Sequence, residues 1–225
     1  VYGEDGGQLV PKKADVLTEY VEKVKDLSAI DHRTREDLIT WLGEDVVDLF
    51  IDTIFKESRY HGNPPPLKVV YTPLHGSGRV PVEKILGKAG FKDLLIVKEQ
   101  EMPDGDFPTV SSPNPENEDA LSLGIRLGKE TGADIVIGTD PDSDRIGAAV
   151  RKDSQFTLIS GNQRGALLTY FLLSTGKDRL TPASTLVKTV VTGELAADIA
   201  ESFHVQVVET LRGCWVSGAK ITECE

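Results

Sequence analysis

From Leu67 onward the chain alternates short, β-branched apolar runs with windows of helical period, a pattern that strands joined by covering helices require. Runs at 67–72, 93–98, 133–137 and 146–150 read as strands, and 81–89 and 116–131 as helices between them. Pro81 just inside one helix and Gly90 just past its end fit the asymmetry of helix termini. After Gly161 the rhythm restarts, with helices at 162–175 and 193–202 and strands at 185–191 and 205–210. Upstream, Pro64-Pro65-Pro66 forbids regular structure and isolates residues 11–58. There Val16, Leu17, Tyr20, Val21 and Val24, then Leu38 to Ile54, recur at helical offsets and predict two or three helices, with Trp41 on a core-facing side. The expected fold class is α/β: two domains of helices packed on mixed β-sheets, meeting near 155–162.

The run Asp134-Ile135-Val136-Ile137-Gly138-Thr139-Asp140-Pro141-Asp142-Ser143-Asp144-Arg145 carries the chemistry. A strand delivers Asp140, Asp142 and Asp144 into a loop at alternate positions, which in extended chain share one side. Pro141 fixes its own φ and keeps Asp140 out of the helical region. Three like charges this close repel unless a cation sits among them, and hard carboxylate oxygens suit Mg²⁺ or Ca²⁺. Arg145 adds a planar fork suited to phosphate, so metal and arginine together describe a phosphoryl-group site. An EF-hand beginning at Asp140 needs Gly and Glu where this chain has Arg145 and Arg151, and fails. A haloacid dehalogenase-type phosphatase also places Asp-x-Asp after a strand, but Asp144 stands where it wants Thr or Val, which weakens that reading without removing it.

Composition narrows the partners. Lys plus Arg number 25 against 36 Asp plus Glu, a net charge of -11 over 225 residues, so attraction to nucleic acid or an anionic membrane surface is not expected. No apolar run approaches the roughly 20 residues of a membrane span. With Cys214 and Cys224 the only thiols, no disulfide or zinc framework is predicted, and a cytoplasmic location is the simplest expectation. His75, in a strand-to-helix turn with Gly76 and Gly78, is a candidate anion or substrate contact; a hydrogen-bonded structural histidine is the equal alternative. Arg79 and Lys188 read as structural or solvated charges, and His32, His61 and His204 as exposed.

Several segments, in order, resemble the α-D-phosphohexomutase family, above all its bacterial phosphoglucomutase/phosphomannomutase branch. They are 1–8, Tyr71-Thr72-Pro73-Leu74-His75-Gly76-Ser77-Gly78, Lys98-Glu99-Gln100-Glu101-Met102-Pro103 running on to Pro113-Asn114-Pro115-Glu116, Thr139 to Arg145, Gly161-Asn162-Gln163 and 187–192. The resemblance implies a phosphoglucomutase-like fold, with residues 1–158 as domain II, including an N-terminal helical segment from its junction with domain I, and 159–225 as part of the sugar-binding domain III. It implies an isomerase that interconverts hexose 1-phosphate and hexose 6-phosphate through a phosphoserine and a sugar bisphosphate, glucose 1,6-bisphosphate being the activator and intermediate. Carried over by position, Asp140, Asp142 and Asp144 hold Mg²⁺ and Arg145 contacts the reacting phosphate.

The family's nucleophile lies in a Thr-Ala-Ser-His-Asn-Pro type motif that these residues do not contain, and Ser111-Ser112-Pro113 falls in a domain II segment that is not phosphorylated. The expectation is therefore that turnover needs domains I and IV of the same enzyme and that the chain alone is inactive. A stand-alone Mg²⁺-dependent phosphatase using Asp140 as nucleophile, or a non-catalytic metal-binding or regulatory module, are the rivals. After Leu211 the sequence departs from the family pattern, leaving Gly213 as a substrate-side candidate.

Overall fold

The computed structural model of the chain describes residues 2–3, 8–9, 11–59, 64–211, 213, 218 and 220–221. By contact the chain divides into two compact units, 42–168 and a second made of 1–41 with 169–225.

The unit 42–168 is built on a five-stranded sheet of order β2-β1-β3-β4-β5. Strands β1 (Lys68–Thr72), β2 (Asp93–Ile96) and β3 (Ile135–Thr139) run parallel; β4 (Ile146–Lys152) and β5 (Gln155–Ile159) continue the sheet antiparallel. Helix α3 (Arg79–Lys88) links β1 to β2, and α4 (Glu118–Thr131) links β2 to β3. Four consecutive residues of β1, Val69 to Thr72, are buried, which is why the run lacks alternation: a central parallel strand has no solvent face. Helix α4 turns Ala120, Leu121, Gly124 and Gly128 inward, at helical spacing. Its Leu123 and Leu127 pack with Phe156 and Leu158 on a core of Val70, Val97, Ala133, Val136 and Ala149. Asp134 stitches the sheet at its lower end, accepting the Lys68 N–H at 2.9 Å and Arg151 Nη2 at 2.8 Å.

Helix α2 (Glu44–Lys56) lies beside α3, held by Lys84–Asp48 at 2.6 Å and by the Lys88–Asp52 pair. In the second unit, α1 (Pro11–Glu22) precedes two 3-10 turns at 27–29 and 36–38. Helix α5 (Gly161–Thr175) runs across the division at 168. Strands β6 (Thr185–Thr189) and β7 (Gln206–Thr210) pair in parallel, and α6 (Leu195–Ser202) buries Ala196, Ala197 and Ala200. Lys188 is buried between Glu194 at 3.0 Å and Glu209 at 2.5 Å, so its charge is structural, as expected.

Three expectations need correction. Trp41 is 85% exposed and not in the core; helical period marks an apolar face without supplying its partner. Helix α6 starts at Leu195, two residues late. Residues 155–159, where no strand is expected from sequence, form strand β5: Asp153 and Ser154 both take positive φ (48° and 68°), the geometry of a tight hairpin turn, without the Asn-Gly pair that announces one. His61, Cys214 and Cys224 lie outside the described residues.

Candidate metal centre

Strand β3 ends at Thr139, and residues 140–145 return the chain into β4. The loop closes on itself: the Ser143 N–H donates to the Asp140 carbonyl at 3.0 Å, with Ser143 at φ 62°. Asp140 is fully buried. Its Oδ1 accepts the Arg145 backbone N–H at 2.9 Å and its Oδ2 accepts Arg145 Nε at 2.8 Å. Asp142 and Asp144 are exposed, and Asp144 Oδ1 lies 3.6 Å from the same Nε. One oxygen from each of the three aspartates lies within 4.8 Å of the other two, the one such group of His, Cys, Asp or Glu among the described residues. Ligands around Mg²⁺ stand about 3 Å apart when adjacent and about 4.2 Å when opposed, so the three carboxylates must draw together to share one hard divalent ion. The donor set, all carboxylate oxygen, fits that ion and not a soft one.

The electrostatics of the loop favour a cation. Burial pushes Asp140 up, but the Arg145 backbone N–H and guanidinium outweigh it and hold the carboxyl below its ordinary range. Asp144 moves the other way, raised by desolvation and then by the charges of Asp140 and Asp142. With 62% of its side chain exposed, little of this comes from lost solvent and more from the like charges beside it. Asp140 in turn raises Arg145, which keeps its positive charge throughout. The loop holds more negative charge than one arginine balances, which is the condition a cation relieves.

The turn after β1 backs the loop. Ser77 donates to the Pro141 carbonyl twice, from N–H at 2.9 Å and from Oγ at 3.0 Å. Glycine is required beneath: a Cβ on Gly78 would stand 2.6 Å from the Tyr71 hydroxyl and 2.7 Å from Thr139 Oγ1, which are themselves bonded at 2.8 Å. To reach this position the chain takes left-handed backbone at two non-glycine residues, Leu74 (φ 47°) and His75 (φ 61°), at roughly 1–2 kcal/mol each.

His75 therefore sits next to the site without opening onto it. It is 6% exposed, its Nδ1 is 3.3 Å from the Met102 carbonyl and its Nε2 is 2.9 Å from Thr109 Oγ1, and its ring meets Phe107 edge-on. With both nitrogens engaged, the histidine is a framework residue, the structural alternative of the sequence reading. Arg79 stands 3.9 Å from both Glu83 and Glu101, a loose pairing. Ser111 donates to Asp119 at 3.1 Å in the turn before α4, where Ser112 is exposed. Gly213 belongs to the second unit, with φ 141° and with neighbours 212 and 214 outside the described residues. Sequence reasoning missed Ser77, Gln100 and Thr109, whose importance comes from burial and bonding that no spacing rule displays.

Comparison with known proteins agrees with this geometry. The family profile "Phosphoglucomutase/phosphomannomutase, alpha/beta/alpha domain II" matches residues 48–153. The chain is 33% identical over 222 residues to a phosphoglucomutase of Staphylococcus saprophyticus, covering 95% of this chain and 39% of that protein. It is 35% identical over 213 residues to a probable phosphomannomutase of Haemophilus influenzae, covering 92% and 42%. Among solved structures, the fold matches a phosphoglucomutase/phosphomannomutase family protein of Burkholderia thailandensis at a TM-score of 0.71, with 19% identity over 97% of this chain and 43% of that one. The fold also matches a "putative phosphomannomutase" of Thermus thermophilus at a TM-score of 0.65, with 17% identity over 97% of this chain and 46% of that one.

Fold and acidic loop together define an α/β domain of the phosphohexomutase class. Within that class, residues 48–153 are a domain II of the phosphoglucomutase/phosphomannomutase family. It spans about two fifths of the length of the curated relatives it matches.

Proposed function

We propose that this chain is the metal-holding part of a Mg²⁺-dependent phosphohexomutase that interconverts hexose 1-phosphate and hexose 6-phosphate, working with domains I and IV of the same enzyme in the cytoplasm. In this reading 1–158 is domain II with its junction helices and 159–225 is part of domain III. The observation that carries it is the convergence of Asp140, Asp142 and Asp144 within 4.8 Å beside Arg145, in a domain of this family.

Bound Mg²⁺ would supply positive charge to a phosphoryl oxygen. The three aspartates each offer it an oxygen. Arg145, 53% exposed while its Nε holds Asp140, is placed to share a phosphate with the cation. Phosphoryl transfer needs mainly positioned charge and an aligned nucleophile. The phosphoryl donor is a phosphoserine of domain I: the free hydroxyl of the hexose phosphate attacks its phosphorus, giving its proton to a base, and the serine P–O bond breaks as the sugar P–O bond forms, the serine oxygen taking up a proton. The resulting glucose 1,6-bisphosphate, or its epimer, returns the other phosphate to the serine.

A stand-alone phosphatase attacking through Asp140 is a poorer reading, because that carboxylate is fully buried and both oxygens are bonded to Arg145. The deciding assay is glucose 1-phosphate turnover with Mg²⁺ and a trace of glucose 1,6-bisphosphate. We expect none from the chain alone, activity on adding the remaining domains, and its loss in Asp142→Ala; turnover by the chain alone refutes the proposal.

A further inference from the structure

We propose that Gln100 is a positioning residue for the metal-binding loop, acting through the turn after β1 and touching neither cation nor substrate. The inference rests on the reading of 140–145 as a cation site.

Gln100 is wholly buried and ends the 3-10 turn that follows β2. Three links leave it. Its Oε1 accepts from Thr72 Oγ1 at 2.7 Å, at the end of β1. Its Nε2 donates to Thr109 Oγ1 at 3.0 Å, in the segment that leads to α4. Its backbone carbonyl accepts the His75 N–H at 3.0 Å. Proton counting gives each of these links one donor and one acceptor. Thr72, having given its hydroxyl proton to Gln100, accepts the Leu74 N–H at 3.1 Å. Thr109, accepting from Gln100, gives its proton to His75 Nε2, and His75 Nδ1–H then donates to Met102.

Four of the six bonds in this set end on the two left-handed residues Leu74 and His75, and the other two join the groups that hold them. These non-glycine residues do not hold that conformation unaided. Their reversal brings Ser77 onto the carbonyl of Pro141, the residue between the first two aspartates. A displaced turn moves Pro141, and with it the spacing of Asp140 and Asp142. A residue that only filled the core would need none of this directionality, and a methionine would fill the same volume.

The test compares the unaltered chain with Gln100→Met, Thr109→Val and Thr109→Ser. Leu127→Ala, a core residue on α4 outside the network, is the control for lost stability. Two quantities are read where all variants are folded: Mn²⁺ affinity by electron paramagnetic resonance, and amide hydrogen exchange at Ser77 and Arg145. We expect Gln100→Met and Thr109→Val to weaken Mn²⁺ binding roughly tenfold, the lower end of what outer partners of a metal site contribute. Exchange at Ser77 and Arg145 should speed by a similar factor relative to Leu127→Ala, and Thr109→Ser should behave as the unaltered chain. If the unaltered chain binds no Mn²⁺, the cation site is gone and this role with it. If it binds, and Gln100→Met and Thr109→Val match Leu127→Ala in both quantities, only the positioning role is overturned.

Discussion

The three aspartates do different work, because one is buried and two are not. Asp140 is tied to Arg145 through both oxygens, so its carboxylate builds the loop as well as serving it. Asp140→Asn puts an amide NH₂ against one of two donors of Arg145, and should cost about 1–3 kcal/mol of stability along with cation binding. Asp142 is exposed, and its charge helps to raise Asp144. Asp142→Ala should change stability by less than about 0.5 kcal/mol in the absence of metal, in the stabilising direction. Mg²⁺ should raise the melting temperature of the unaltered chain and leave that of the same variant unmoved, since only a ligand bound by the folded state produces such a rise. Thermal melts with and without Mg²⁺ check both; a preserved Mg²⁺ response in Asp142→Ala would remove that residue from the site. The alternation of the three carboxylates and the following arginine was readable in sequence because ligand chemistry is written in residue type. Which carboxylate is buried was not readable, since it depends on how β3 enters the fold.

At the level of elements, the sheet is pinned by Asp134, which accepts from Lys68 of β1 and Arg151 of β4. The Lys68 backbone N–H, then the Arg151 side chain, hold its carboxyl below the ordinary range. A depressed carboxyl stabilises above its unfolded pKa of about 3.9 and loses that contribution as pH falls through the folded value. Urea midpoints should therefore separate the chain from Asp134→Asn at pH 6 and converge well below pH 4; an equal gap at both would contradict this assignment. Strands β1 and β3 were legible because doubly covered strands need unbroken apolar, β-branched runs. Strand β5 was not: Gln155, Phe156, Thr157, Leu158 and Ile159 follow a polar turn lacking glycine, and only their pairing with β4 separates them from a linker. Trp41 erred oppositely, since periodicity named a face that packing left exposed.

For the whole molecule, the two units differ in what their sheets bury. The unit 42–168 has five strands and a continuous core, whereas the described part of the second pairs only β6 with β7. Parallel strands are stable when covered on both faces, and two-stranded sheets are marginal. Amides of β6 and β7 should thus exchange with solvent at least roughly tenfold faster than those of β1 and β3, by opening below the global unfolding energy. Equal protection would mean that the chain unfolds as one cooperative body. Sequence showed that the alternation of elements restarts after Gly161; the unequal strength of the two sheets is a matter of strand number and pairing, which local pattern does not encode.

The loop at 140–145 is also the entire connection between two strands in fixed antiparallel register, from Thr139 opposite Ile146 to Ile135 opposite Val150. Adding or deleting one residue there would bulge the turn or slide β4 by one position, exchanging its inward and outward faces. Substitution carries no such penalty at the exposed positions. A lineage descending from this chain is therefore free to change the loop's chemistry or its charge, letter by letter, while the word keeps its length.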